Sequence, residues 1–486
     1  MIPVPGFQGR RVAVFGLGRS GITAARALQA GGAQPVLWDD SVSSRMQAQA
    51  EGFAVQDLTA ADWSDFAALV LSPGAPLTHP RPHWTVDKAR SAGVEVIGDI
   101  ELFARALSAL PQDRRPRVVA ITGTNGKSTT TALIGWVLKQ AGLTVHVGGN
   151  IGIGVLALPA LTPRPERGPP GPHVADGAGA VPEADLEVRA PHTIYVIEVS
   201  SYQLDLTTTF APDVAILTNI SPDHLDRHGG MEGYVAAKAR IFRNLKPWAT
   251  ALVGVDEAAG LGIAETLGAR ARMVSTADLP LAQIRASAGR LSVDDESVDF
   301  SAARSLPGRH NAQNAAFAYA AARALGVDHA TALKGLLSFP GLAHRMEPVG
   351  RLGRVRFVND SKATNADAAR QALSSYDRVF WIAGGRAKAG GIDDLSDLFP
   401  RVTEAFLIGE AAGPFAAALG DTPHRISGDM ETAVRAAAQA AAATGREEVV
   451  LLSPAAASFD QYPDFEARGE AFRAAVLALG ARPEEG

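Results

Sequence analysis

The chain of 486 residues is too long for one ordinary hydrophobic core, so about two to four domains are predicted. Its 47% apolar and 20% charged content is that of a soluble globular protein, and a formal net charge of −5 argues against nucleic-acid binding. There is no cysteine, which excludes disulfides, thiolate metal sites and cysteine nucleophiles. The opening "MIPVPGFQGRRVAVFG" lacks the order of a signal peptide. No uncharged apolar run reaches the roughly 18 residues of a membrane span. A cytoplasmic protein with no integral membrane segment is expected.

From Arg11 to about residue 110, apolar strands alternate with helical stretches: "RVAVFG", an alanine-rich helix, "PVLWDD", then "ALVLSPG". Strands apolar along their whole length belong to parallel sheets covered on both faces. "GLGRSG" (16–21) fits G-x-G-x-x-G after a strand, and Asp39 ends the next strand. That favours a nucleotide site with Asp39 on a ribose hydroxyl, although such glycine turns are also purely structural. The polar, proline-bearing "ALPQDRRPR" (109–117) reads as a linker.

A second block begins at "VVAITG" and contains "TIYVIEVSS", "VAILTNI" and "ATALVGV", with a helix over 309–326 near its end. "TGTNGKSTT" (122–130) runs from strand to helix. Glycines there uncover backbone N–H groups, the helix start adds positive potential, and a lysine and a hydroxyl complete a phosphate and magnesium site. Glu198 ends a buried strand, where an uncompensated carboxylate is costly; it reads as a magnesium ligand opposite Ser128 or as an edge carboxylate paired with arginine. "TNISPDHLDRHGG" (218–230) gathers Asp223, His224, Asp226 and His228, either as a polar loop or as metal and substrate contacts. Lys238 reads as a surface lysine on an otherwise apolar helix. The proline- and glycine-rich 158–192 is expected to be a surface insertion with no catalytic part.

The third block follows "SFPGLAHRMEPV" (338–349), with strands in "VRFVND", "RVFWIAGG", "VTEAFLIG" and "EEVVLLSP". His344 and Arg345 stand at the junction, as nucleotide contacts or as hinge packing. "VNDSKATN" (358–365) and "SPAAASFDQY" (453–462) place Asn359, Asp360, Ser361, Lys362, Thr364, Ser453, Ser458 and Gln461 beyond strand ends. Such density of donors suits phosphate and carboxylate ligands, while Ser458 could equally cap a helix.

Taken together, "GTNGKST", "GLGRSG", "LSPG", "GGNIG", "EVSSYQL", "DHLDRH", "NDSKATN" and "SPAAASFDQY" resemble the Mur ligase family, ATP-dependent amide-forming enzymes of peptidoglycan precursor synthesis. The likeness covers nearly the whole chain outside 158–192. It implies an α/β protein of three domains. Residues 1–110 would form a Rossmann-like part for the uridine nucleotide, 111–341 a P-loop-ATPase-like part for ATP and magnesium, and 342–486 a Rossmann-like part for the incoming amino acid. The combination of motifs implies the member that adds D-glutamate to UDP-N-acetylmuramoyl-L-alanine. These small molecules would be its partners, and a monomer is expected.

Residue by residue, the resemblance implies that Gly123, Thr124, Asn125, Gly126, Lys127, Ser128 and Thr129 hold ATP phosphates. Asn311, Asn314, Arg345 and Asp360 also match ATP contacts. Ser128 and Glu198 match ligands of one Mg2+, His224 and Lys238 the surroundings of a second, with Lys238 carbamylated. Lys127, Glu198, His224 and Lys238 form the implied catalytic set. Gly18, Arg19, Ser20, Asp39, Ser72, Gly74, Asn150 and His224 match the UDP-substrate site, although Arg19, Ser20, Asp40 and Ser41 depart from one well-known pattern. Lys362, Thr364, Ser458 and Phe465 match the D-glutamate pocket, with Lys388 of the divergent "GGRAKAGGID" loop facing the glutamate side chain. Rival readings are a sibling ligase adding L-alanine or a diamino acid, and a folylpolyglutamate-type ligase. From other classes come an NAD-dependent oxidoreductase using "GLGRSG" and a non-catalytic nucleotide-dependent regulator.

Overall fold

The computed structural model describes residues 1–161, 193–277, 279–294, 296–387 and 390–483. Three sheets carry the chain. β1 (Arg11–Phe15), β2 (Gln34–Trp38), β3 (Phe66–Leu71) and β4 (Glu95–Ile97) form a parallel sheet in the order β2-β1-β3-β4. The order reverses at β1, whose carboxyl end carries the glycine turn, the place where open α/β sheets take ligands.

The second sheet comprises β5 (Arg117–Thr122), β6 (Thr144–Gly149), β7 (Thr193–Glu198), β8 (Val214–Leu217), β9 (Thr250–Gly254), β10 (Ala271–Ser275), β11 (Ile284–Ser287), β12 (Arg290–Val293) and β13 (Glu296–Asp299). Their order is β13-β12-β11-β10-β9-β8-β5-β7-β6. The sheet is parallel from β11 to β6, and only the β11-β12-β13 edge is antiparallel. β5, apolar through "VVAI" and flanked by β7 and β8, is covered on both faces, which is why it reads as an unbroken hydrophobic run.

The third sheet holds β14 (Glu347–Leu352), β15 (Val355–Asn359), β16 (Val379–Gly384), β17 (Val402–Ile408), β18 (His424–Gly428), β19 (Glu448–Leu452) and β20 (Arg482–Pro483). They are ordered β18-β17-β16-β19-β15-β14-β20, with β14 and β20 antiparallel at one edge. Trp381 of β16 is fully buried and donates its indole N–H to the Ser453 carbonyl at 2.7 Å. Burying a side chain of this kind stabilises the fold by about 1.5–3 kcal/mol, and the hydrogen bond removes the polar cost.

Two compact units result: Met1–Phe300 with Asn311–Leu337, and Ser301–His310 with Ser338–Gly486. In the first unit a continuous apolar core runs from Val12, Val14, Leu28 and Phe103 to Val118, Tyr195 and Leu217, so its two sheets share packing. The first residues of the predicted surface insertion, 158–160, pack against the sheet. Leu158 is buried, and the Tyr195 hydroxyl donates to the carbonyls of Pro159 and Ala160. Residues 162–192 lie outside the described residues.

Candidate active site

The phosphate loop leaves β5 at Thr122 and enters helix Lys127–Gln140. Gly123 and Gly126 have φ of +145° and +79°, which side-chain-bearing residues rarely adopt. Space forbids a side chain as well. A Cβ on Gly123 would lie 1.9 Å from Thr218 Oγ1, and one on Gly126 would lie 2.6 Å from Asn314 Oδ1.

Neighbouring strand ends brace the loop. Asn219 Oδ1 accepts from the Asn125 N–H at 2.8 Å, and the Thr218 hydroxyl donates to the Asn125 carbonyl at 2.7 Å. Thr124 Oγ1 donates to the Ser221 carbonyl and lies 3.1 Å from the Tyr234 hydroxyl. Lys127 Nζ donates to the carbonyls of Gly123 (2.9 Å) and Thr124 (2.7 Å), folded back over the loop it would serve. Ser128 and Thr129 follow in the first helical turn, both buried.

Asn311 and Asn314, three residues apart on helix Gly308–Ala324, share a face. Asn314 accepts from Thr130 Oγ1 at 3.0 Å and donates to Asn311 Oδ1 at 3.1 Å. The pair therefore backs the phosphate loop, an arrangement no local pattern predicts.

Glu198 ends β7, directly beside β5 through the Ile121–Glu198 register. One carboxylate oxygen accepts from Asn150 Nδ2 at 2.9 Å; the other, Oε2, is buried without a hydrogen-bond partner among the described residues. A buried carboxylate oxygen with no partner is costly and suits a hard cation. No three His, Asp or Glu side chains form a ready-made cage among the described residues.

Lys238 corrects the surface reading. It is 2% exposed, its Nζ donates to the Gly123 carbonyl at 2.7 Å, and it lies 4.6 Å from the Tyr234 ring centroid. Burial, with the Lys127 charge nearby, holds its ammonium well below the usual lysine pKa, against the pull of Asp223 and Glu198. The single-helix pattern around residue 238 could not reveal this, because the covering residues come from the loop after β5.

His224 has left-handed backbone (φ +54°), with Nε2 3.4 Å from Asp223 Oδ2 and its ring 5.1 Å from that of Tyr202. The structure separates it from its motif neighbour His228. That imidazole is buried, 3.1 Å from Asp205 Oδ2 and 3.0 Å from Ser201 Oγ. Of the two histidines, His224 alone stays at the surface.

At the first sheet, Gly18 caps helix Arg19–Ala30, which places Arg19 and Ser20 in its opening turn. Asp39 Oδ2 accepts from the Leu17 N–H at 2.6 Å and Oδ1 from the Ser41 N–H at 2.8 Å, so this carboxylate ties the glycine turn to the end of β2. Ser72 sits against Gly16, where a Cβ would lie 2.4 Å from the Ser72 Cβ, and Gly74 follows in the same turn.

In the second unit, Asp360 is buried after β15. It accepts from Ser453 Oγ at 2.9 Å and from the Met346 N–H at 3.2 Å. Burial pushes its carboxyl up to about 7, against the opposing pull of Arg345. Arg345 Nε is itself buried without a hydrogen-bond partner among the described residues. Because folded Asp360 holds its proton more tightly than the unfolded chain, stability falls as pH rises from the ordinary carboxylate range to about 7 and levels off above it. Asp360→Asn should flatten that part of a melting-temperature profile against pH; an unchanged slope would remove Asp360 as its source.

Lys362 Nζ lies 3.8 Å from the Phe465 ring centroid, bringing those two predicted residues together. Thr364 follows Lys362 in a tight backbone turn, and buried Ser458 opens the turn that holds Gln461 and Tyr462. Ser458 is not the helix cap: Asp464 caps helix Phe465–Ala478, accepting from the Ala467 N–H at 2.7 Å. Lys388 lies outside the described residues, but its loop is anchored by the Arg386–Ala457 bridge. Sequence reasoning missed Arg468, a buried cation beneath these loops.

Fold and site thus define a three-sheet α/β protein with a lysine-bearing phosphate loop at the carboxyl end of β5, between β8 and β7 in its largest sheet. Residues 121–322 match the model of the Mur ligase middle domain, and residues 344–456 that of the Mur ligase glutamate ligase domain. The chain belongs to the Mur ligase family. It is 58% identical over 491 aligned residues to the UDP-N-acetylmuramoylalanine–D-glutamate ligase of Caulobacter vibrioides, covering 99% of this chain and 98% of that one. The like-named protein of Phenylobacterium zucineum is 56% identical, with the same coverage of both chains. Among solved structures, UDP-N-acetylmuramate-alanine ligase from Thermotoga maritima shares the fold with a TM-score of 0.56 at 16% identity. That match covers 97% of this chain and 99% of that one.

Proposed function

We infer that the chain is an ATP-dependent ligase that adds D-glutamate to UDP-N-acetylmuramoyl-L-alanine in peptidoglycan precursor synthesis. The observation that carries this reading is the 58% identity, over 99% of the chain, to a relative named for that reaction. The braced phosphate loop and the unpartnered Glu198 oxygen give it a physical basis. Neither the nicotinamide reading of "GLGRSG" nor a sibling ligase is favoured by relatives of this name.

A carboxylate resists amines because its charge is delocalised and oxide leaves poorly. Phosphorylation removes both obstacles: the L-alanyl carboxylate attacks the γ-phosphorus of ATP, giving an acyl phosphate and ADP. The D-glutamate amine then attacks the acyl carbon, and phosphate departs as the amide forms.

Lys127 and the loop amides hold the phosphates and offset charge moving toward the ADP side. Asn311 and Asn314 keep the loop in register, while Arg345 and Asp360 contribute to nucleotide binding. Glu198 and Ser128 would hold Mg2+, which when bound supplies charge neutralisation at the phosphates. We assign His224 and Lys238 to the surroundings of a second Mg2+, Lys238 able to act as an anionic ligand once carbamylated.

Gly18, Arg19, Ser20, Asp39, Ser72, Gly74, Asn150 and His224 serve the UDP-substrate. Lys362, Thr364, Lys388, Ser458 and Phe465 serve D-glutamate. The division into functional parts is 1–110, 111–341 and 342–486. We place the enzyme in the cytoplasm as a monomer; among the described residues no helix is long and apolar enough to cross a membrane.

The test offers UDP-N-acetylmuramoyl-L-alanine, ATP and magnesium with a panel of D- and L-amino acids, reading phosphate release and product mass. D-glutamate should be the preferred acceptor. Phosphate release driven by L-alanine or a diamino acid instead would reassign the chain to another reaction.

A further inference from the structure

Arg468 lies on helix Phe465–Ala478 and is 1% exposed. Its guanidinium holds the ends of three strands at once. Nε donates to Ser361 Oγ at 3.0 Å and Nη2 to the Ser361 carbonyl at 2.8 Å, both just beyond β15. Nη1 donates to the Ala456 carbonyl at 3.0 Å, beyond β19, and to the Gly384 carbonyl at 3.4 Å, at the end of β16. Ser361 Oγ in turn donates to the Phe465 carbonyl at 2.8 Å, closing the tie onto the helix start. There is little slack: a Cβ on Gly385 would lie 3.0 Å from Nη1.

Among the described residues, every hydrogen-bond acceptor around this cation is neutral. No carboxylate forms an ion pair with it among the described residues, and Asp460 and Asp360 act on it only at longer range. Burial draws its pKa down to about 10, so it remains charged at neutral pH. A buried charge without an adjacent counter-charge is expensive to keep, and an opposite charge arriving nearby offsets that cost.

We propose that Arg468 is a positioning residue for the acceptor amino acid, locking the three strand-end loops in one arrangement and supplying the positive potential that an incoming dicarboxylate neutralises. This rests on the D-glutamate reading above. Lys362, stacked on Phe465 in the same loop cluster, is placed to meet a carboxylate directly, whereas Arg468 acts from beneath, with its donors spent on backbone and serine oxygens.

The test is steady-state kinetics of the full chain and its R468Q, R468K and S361A variants, with each of the three substrates varied in turn. R468Q should raise the KM for D-glutamate by about tenfold or more, leaving the KM for ATP and for the uridine substrate within about twofold. R468K, which keeps the charge but not the fork, should fall between R468Q and the unaltered protein. S361A, a milder change that spares the cation, should raise the D-glutamate KM alone and keeps the test open should R468Q fail to fold. A parallel rise of all three KM values, or no change in any variant, would overturn the proposal. Absence of D-glutamate-dependent phosphate release in the unaltered protein would instead defeat the functional reading.

Discussion

Lys127→Ala should abolish ADP formation, lowering kcat by about 10³-fold or more, while uridine-nucleotide binding stays nearly intact. The size of the effect follows from position. Lys127 is the first residue of its helix and reaches the carbonyls of Gly123 and Thr124, so its ammonium lies over the loop where transferring phosphate would sit. The helix start adds positive potential, but a fixed dipole cannot follow charge as it moves toward the leaving group. ADP release at substrate saturation, with uridine-nucleotide binding followed by calorimetry, checks both halves. Turnover at the unaltered rate would defeat the assignment of this loop to ATP.

Lys238→Ala should come close to that loss, and the unaltered enzyme should lose activity when CO2 and bicarbonate are rigorously removed. Burial at 2% exposure and the neighbouring Lys127 charge lower the pKa of this amine, which favours the unprotonated form that attacks CO2. In that step the nitrogen lone pair bonds to carbon, and the nitrogen proton passes to solvent as the carbamate forms. A cation beside Lys127 thereby becomes an anion, turning repulsion into attraction and adding oxygen donors near Glu198. Restoring bicarbonate should restore activity, and intact mass should rise by one CO2. If neither activity nor mass responds under conditions where the modification exchanges, Lys238 serves as a plain amine.

Legibility in the sequence followed the physics of each element. The buried parallel strands announce themselves because both faces are covered: "VVAIT", "TIYVIE" and "VFWIAG" became β5, β7 and β16. The β11-β12-β13 edge did not, because "IRAS", "RLSV" and "ESVD" are four-residue strands with exposed positions interleaved. Their only signal was the alternation around the Gly289 turn.

Glu198 was legible as a carboxylate ending an apolar strand. Lys238 was not, since its burial is decided by the loop after β5. Within "DHLDRH", composition could not separate His224 from His228; the Ser201 and Asp205 that claim His228 lie on another helix. Arg468 was silent for the same reason: an arginine in a helix reads as solvated until the three loops around it are in place.

If the first sheet takes the substrate diphosphate as proposed, the Asp39 contact to the Leu17 amide would constrain how it docks. One N–H of the glycine turn is already saturated by an acidic group, and a second anion brought to that corner would meet like charge at short range. Phosphate oxygens would therefore be steered toward Gly18, Arg19 and Ser20, which open the helix. The acidic corner is left for neutral hydroxyls, which can donate to it. On the proposed UDP-substrate reading, polarity across this small turn would bias the direction in which an elongated nucleotide lies before any base-specific contact forms.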